Sequence, residues 1–277
     1  MFILLNLKRK HSLSTSKGEI KMILAIDVGN TNIVFGGVDE NFHISFLCRI
    51  STDTNKTDDE YAVQLKTLIE LNNLGTGSFE GGIISSVVPQ ITPILRLAVQ
   101  KVTGKSPLVV GPGIKTGLNI MIDNPAQLGS DLAVGAVAAI ALYPKPLMVI
   151  DMGTATTICA VDKDSNYRGG IIAPGVKVSM ESLTRNAAQL QRIGLYPPKR
   201  AIGTNTADCM RSGLVFGNAA MIDGLIDRMS AELEGTPIVI ATGGLAPSII
   251  PYCNHRIIIN NELLLIGLRI IFDKNVR

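Results

Sequence analysis

The sequence predicts an α/β protein made of two similar domains that face a shared cleft. Three observations carry this reading. Ile23 to Val38 reads as two apolar strands folded back on a polar tip, Asp27-Val28-Gly29-Asn30-Thr31-Asn32. The plan recurs at Leu147 to Val161, where Ile150-Asp151-Met152-Gly153 aligns with Ile26-Asp27-Val28-Gly29. A repeat at such a spacing is too long for a solenoid unit and points to a duplicated domain. Finally, the chain has 277 residues, of which 46% are apolar and 18% charged. At about 150 residues per domain this suits roughly two well-cored domains and excludes disorder.

Composition narrows the function. The net charge is +3, there is no Trp, and aromatics make up 4%. Neither nucleic acid nor an anionic membrane is an expected partner, and base-stacking platforms are excluded. Cys48, Cys159, Cys209 and Cys253 form no C-x-x-C pair, and His11, His43 and His255 have no metal-ligand spacing. This usage fits a reducing cytoplasm. No run is long and apolar enough to span a bilayer. In residues 1–21, Phe2-Ile3-Leu4-Leu5 is too short for a signal segment, and Lys8-Arg9-Lys10 follows it rather than preceding it. The strand pattern starts at Met22, which reads as an initiator. Residues 1–21 are therefore expected to be a frayed extension, followed by domains at 22–128 and 129–277.

The first hairpin tip suits phosphate. Gly29 lets the backbone approach a ligand, and neighbouring N–H groups form an anion-binding concavity with Asn30, Thr31 and Asn32 as further donors. Asp27, at a strand end, suits Mg²⁺, which takes one or two carboxylates plus phosphate oxygens. Ordinary hairpin turns use the same residue types, so the tip alone does not decide. The second copy tilts the reading towards a shared site.

The remaining elements follow in order. Phe42 to Ile50 supplies a third strand. Thr57 caps a helix with Glu60 three residues on, and Tyr61, Leu65, Leu68 and Ile69 form its apolar stripe up to Asn72. Gly82 to Val88 is a buried strand ending in Ser85 and Ser86, and Pro93 to Val102 a helix with proline in its first turn. Leu108 to Val110 is a short strand, and Gly111 to Asn124 reads as loop. Asn124 to Ile140 is a helix of small residues, suited to close packing between domains. Asp131 lies in its early part, where an Asp ordinarily serves the helix dipole. Gly169 to Gly175 reads as a glycine-rich turn opening a helix at Val176 to Arg185. Thr204 or Asn205 caps a long helix to about Leu233. Pro237 to Ala246 is strand, Gly243-Gly244 turn and helix. Ile257 to Ile259 and Glu262 to Phe272 close the chain as strand and helix.

Taken together, Asp27-x-Gly-Asn-Thr, Gly129-Ser130-Asp131, Asp151-x-Gly-Thr-Ala-Thr-Thr, Gly169-Gly-x-Ile-x-Pro-Gly, Gly203-x-Asn-Thr and Thr242-Gly-Gly-x-Ala resemble the type III pantothenate kinases, in the same order and over Met22 to Phe272. The resemblance implies two ribonuclease H-like domains of the acetate and sugar kinase/actin-like superfamily with an interdomain cleft. It implies ATP-dependent phosphorylation of pantothenate, the first step towards coenzyme A, by a cytoplasmic homodimer needing Mg²⁺ or another divalent metal and K⁺ or NH4⁺.

It also implies roles by position. Asp27, Val28, Gly29, Asn30, Thr31, Asn32, Ile33 and Val34 would hold the ATP phosphates, with Asp27 reaching Mg²⁺ through them. Thr154 would touch ATP, and Gly243 and Gly244 would lie by adenosine. Asp151 would ligate the monovalent cation. Asp131 would be the base, and Gly129, Ser130, Leu132 and Thr206 would border pantothenate with it. One departure stands out: Leu132 occupies a position where the family usually carries Arg. A guanidinium there would suit the pantothenate carboxylate, and its loss would weaken binding by roughly 1.5–3 kcal/mol. Lys177 and Arg185 are candidate substitutes. A kinase for another hydroxyl substrate, and a nucleotide-binding regulator of low turnover, are the alternative readings.

Overall fold

The computed structural model describes residues 22–187 and 189–276, so the extension expected at 1–21 lies outside the described residues. The chain opens with an antiparallel meander, β1 (Met22–Val28), β2 (Asn32–Asp39) and β3 (Ile44–Ser51). Helix α1 (Asp58–Leu71) then leads to β4 (Phe79–Ser86), parallel to β1, and α2 (Thr92–Thr103) to β5 (Leu108–Val109), parallel to β4. The first sheet has the order β3-β2-β1-β4-β5.

The second sheet repeats this plan. Strands β7 (Leu147–Met152), β8 (Ala155–Val161) and β9 (Asn166–Pro174) form the meander. After α4 (Val176–Asn186) and α5 (Thr206–Ser230), β10 (Ile238–Thr242) runs parallel to β7. After α6 (Ala246–Ile249), β11 (Ile257–Ile259) runs parallel to β10. A two-residue strand, β6 (Asn119–Ile120), joins the edge at β9, giving the order β11-β10-β7-β8-β9-β6.

Alternation along β1 decides which side faces what. Leu24, Ile26 and Val28 enter an outer core with Tyr61, Leu65 and Ile69 of α1 and Leu95 and Val99 of α2. Ile23 and Ala25 enter an inner core, and Asp27 continues that side. The inner core is completed by two further helices, α3 (Ser130–Leu142) and α7 (Leu263–Val276). Val134 and Val137 of α3, and Leu265, Leu268 and Ile271 of α7, pack on the first sheet. Ala136 and Ala139 of α3, and Leu263 and Ile266 of α7, pack on the second. The two helices therefore fill the space between the sheets. They cross closely at Gly267, where a Cβ would collide with the carbonyl oxygen of Val134. Arg269 of α7 is buried among Glu80 (Nη1–Oε1 2.8 Å), Asp273 (Nη2–Oδ1 2.8 Å) and the Val38 carbonyl (3.3 Å).

Helix α1 starts as expected, with Thr57 and Glu60 forming a full capping box. Three local expectations are corrected. Gly169 to Gly175 is mostly strand rather than turn, because β9 runs so close to β8 that a Cβ on Gly170 would collide with the Ile158 carbonyl oxygen. The expected loop at Gly111 to Asn124 contains β6. The third strand begins at Ile44, after Phe42 turns the chain with φ 62°.

Candidate active site

The two repeated hairpins meet tip to tip. In the first, the Gly29 N–H donates to the Asn32 carbonyl (3.0 Å), while the Thr52 hydroxyl donates to the Gly29 carbonyl (2.6 Å) and the Thr52 N–H to the Thr31 carbonyl (3.0 Å). In the second, the Gly153 N–H donates to the Ala155 carbonyl (3.0 Å) and the Gly175 N–H to the Thr154 carbonyl (3.2 Å). Across the gap, Thr31 Oγ1 and Thr154 Oγ1 lie 3.1 Å apart. Asn30 and Thr31 are exposed, and Asn32 and Val34 are half-buried. Val28 and Ile33 send their side chains into the outer core, so only their backbone can face a ligand.

Three carboxyl groups converge behind the tips. Asp27 ends β1, Asp151 ends β7, and Asp131 lies in the first turn of α3. Burial, then the charges of Asp151 and Asp131, push Asp27 up to about 7 against a lowering hydrogen bond from Ser85. Burial and the Asp131 charge push Asp151 to about 7. Asp131 is also raised, chiefly by burial, although the Leu132 N–H donates to its Oδ1 at 2.8 Å. Among the described residues no group of three acidic, His or Cys side chains is placed to hold a metal alone. The arrangement therefore suits a cation that takes one carboxylate and completes its shell with ligand oxygens.

Ser130 fixes α3 to the first sheet. Its Oγ accepts from the Ser86 N–H (3.1 Å), donates to the Ser86 carbonyl (3.0 Å) and lies 3.1 Å from Ser85 Oγ. This seats Asp131 beside the end of β4. Ser85, fully buried and bonded to Asp27, is a site residue that sequence reading passed over. Only the register reveals it, since Asp27 pairs with Ser85 in the β1–β4 ladder. Thr157 is a second such residue. It faces Asp151 in the β7–β8 register, and its buried hydroxyl has no hydrogen-bond partner. Thr156 has a buried hydroxyl without a partner too, and only that of Thr157 lies opposite Asp151 in the register.

The other expected residues are spread around this centre. Gly129 precedes α3, and a Cβ there would stand 2.6 Å from Asp131 Oδ1; Leu132 is half-buried in the same turn. Gly243 has φ 93°, and a Cβ would stand 2.5 Å from Asp151 Oδ1 and 2.6 Å from the Met152 nitrogen, so the turn lies directly against the second hairpin. Gly244 follows it on the side facing β3. Lys177 is exposed in the first turn of α4, which starts at the second tip, and Arg185 lies in its last turn. Thr206 is the exposed first residue of α5, capped by Asn205. Among the described residues no hydrogen bond joins Thr206 to Asp131 or to either tip. A cavity of about 640 Å³ lies at the opposite ends of β10 and β11, bordered by Asp227, His255 and Arg256, and includes none of the three carboxylates.

The chain is similar to known proteins in sequence and in fold. A family model described as type III pantothenate kinase matches residues 23–228. Proteins named type III pantothenate kinase are similar over most of the chain. One from Halalkalibacterium halodurans is 45% identical, covering 92% of this chain and 100% of its own. One from Exiguobacterium is 46% identical, covering 92% and 99%. Among solved structures, a candidate 2-dehydro-3-deoxygalactonokinase from Sinorhizobium meliloti superposes with TM-score 0.58 at 13% identity, covering 92% of this chain and 97% of its own. The activator of 2-hydroxyisocaproyl-CoA dehydratase from Clostridium difficile, solved with bound ADPNP, gives 0.52 at 12%, covering 91% and 95%. At these identities the likeness is one of fold.

Proposed function

The chain belongs to the type III pantothenate kinase family, and from that premise we propose how its residues carry out the transfer of the γ-phosphoryl group of ATP to the hydroxyl of pantothenate. The observation that carries the reading is the meeting of two Asp-x-Gly hairpin tips, Thr31 against Thr154, with Asp131 at the head of α3 behind them.

ATP lies across both tips. The first tip, from Val28 to Val34, holds its phosphates together with the side chains of Asn30, Thr31, Asn32 and Thr154, and the Gly243-Gly244 turn borders adenosine. The hydroxyl of pantothenate attacks the γ-phosphorus as the bond to the β-phosphate oxygen breaks, leaving ADP. Asp131 accepts the hydroxyl proton. Its raised pKa moves it towards the operating pH, where a general base works best. Positioning dominates, because the transition state is loose and asks little covalent chemistry of the protein.

Asp27 would hold a divalent metal through the phosphates, and Asp151 with Thr157 would hold K⁺ or NH4⁺; bound there, the ions would supply neutralisation of phosphate charge. The residues fit both ions: two carboxyls driven up by burial and by neighbouring carboxylates, and the Thr157 hydroxyl, which with that of Thr156 is buried without a partner. Gly129, Ser130, Leu132 and Thr206 border pantothenate, and Lys177, at the head of α4, and Arg185, in its last turn, are the basic candidates to replace the guanidinium expected at Leu132. The enzyme works as a homodimer in the cytoplasm. The domains divide at 22–128 and 129–277, with residues 1–21 an extension.

The test is ADP release from ATP with Mg²⁺ and K⁺, with and without pantothenate. Release that depends on pantothenate supports the assignment. Nucleotide binding without such release moves it to another acceptor or a regulatory role.

A further inference from the structure

Arg49 carries chemistry that the motifs do not reach. In the register of the first sheet, Arg49 on β3 stands opposite Val34 on β2, Val34 opposite Asp27 on β1, and Asp27 beside Ser85 on β4. Laterally paired residues project from one face of a sheet. Arg49, Val34, Asp27 and Ser85 therefore form a single row on the inner face, ending at Ser130 and Asp131. The side chain of Arg49 is exposed, yet it leans towards the second sheet. Its Nη1 and Nη2 lie 3.3 and 3.7 Å from where a Cβ on Gly244 would stand. Among the described residues it forms no ion pair or hydrogen bond through its guanidinium.

A cation with no anionic partner is thus held over the Gly243-Gly244 turn, at one end of a row that carries Asp27 in its middle and reaches Asp131 at its other end. Resting on the nucleotide site proposed above, we infer that Arg49 grips the polyphosphate of ATP across the cleft and ties the first sheet to the Gly243-Gly244 turn. A nucleotide running from that turn to the Thr31 and Thr154 tips passes under the guanidinium. Its planar fork matches phosphate oxygens in pairs, which a lysine ammonium does not. Stacking of the guanidinium on adenine is the competing geometry.

The experiment compares Arg49→Met and Arg49→Lys with the parent chain, titrating ATP, ADP and adenosine in Mg²⁺ and K⁺ and measuring KM for ATP and pantothenate. Arg49→Met is expected to weaken ATP and ADP by about ten- to a hundredfold, the worth of one charged hydrogen-bonded contact. Adenosine affinity and the KM for pantothenate stay unchanged, and Arg49→Lys recovers part of the loss. Because the side chain is exposed, thermal melts should coincide. Unchanged ATP affinity in Arg49→Met overturns the inference, and so does equal loss of adenosine and ATP, which would assign the guanidinium to the base. Parent protein that binds no ATP at all defeats the nucleotide site itself and the inference with it.

Discussion

Replacing Asp151 by Asn should make the ligand-free protein more stable at alkaline pH while removing its activity. Burial and the Asp131 charge lift the Asp151 carboxyl from 3.8 to about 7. Every tenfold gain in proton affinity is worth about 1.36 kcal/mol, so the ionised group costs the fold on the order of 4 kcal/mol above pH 7. The sign follows from where the proton sits. From about pH 4 to 7 the folded protein keeps a proton that the unfolded chain has lost, so stability is full below this window and declines as pH rises through it. Two effects reduce the gain from Asn. Asp151 is half-buried, so water already screens part of its charge, and a buried amide lacking partners costs about 1–3 kcal/mol. A net gain of about 1–2 kcal/mol remains, or roughly 2–8 °C in melting temperature for a protein of this size. Thermal melts in chelator-treated buffer without K⁺, at steps from about pH 5 to 8, read the difference. A gap between variant and parent that does not widen with pH would refute the electrostatic account of this site.

Three further changes probe other parts of the structure. Asp131→Asn should retain ATP binding and lower kcat by about 10²- to 10⁴-fold, the usual worth of a general base; unchanged turnover in a coupled ADP assay would remove Asp131 from that role. Arg269→Ala should cost about 3 kcal/mol or somewhat more by denaturant titration, because the buried guanidinium that bonds both Glu80 and Asp273 is lost, whereas Arg269→Met with Glu80→Gln should recover much of it. Gly243→Ala should destabilise by about 1–3 kcal/mol through its φ of 93° and its contacts with Asp151 and Met152, and should weaken ATP binding, measurable by nucleotide titration.

Much of this architecture was legible because its signals are local. The two Asp-x-Gly hairpins announce themselves by apolar alternation broken at a polar tip, and Thr57 with Glu60 announces α1 by a spacing that only a helix start uses. What stayed hidden depends on contacts distant in sequence. Glycines at 169 and 170 signal a turn, yet Gly170 marks a close approach of β9 to β8, and Gly169, with φ 113°, sits where the register between these strands shifts; no window of sequence contains either. Asn119–Ile120 is too short for any periodicity and becomes a strand only because β9 offers an edge. Ser85 and Thr157 look like ordinary strand residues until register sets them beside Asp27 and Asp151, and Arg49 does until the meeting of the two sheets sets it against Gly244. Leu132 stays an open departure from the motif.

The placement of α7 also has a consequence in time. Ile23, Ala25 and Ile83 are made early, but Leu265, Leu268, Ile271 and Phe272, which cover them, are made late. At about 5–20 residues per second, roughly ten to forty seconds pass between synthesis of β4 and of α7. Until α7 is made, the inner side of the first sheet has only α3 to cover it, and Glu80 waits for Arg269. The nascent chain therefore carries an open apolar surface beside the unfinished nucleotide site. Conditions that lengthen translation should raise losses to aggregation or chaperone capture without altering the finished enzyme.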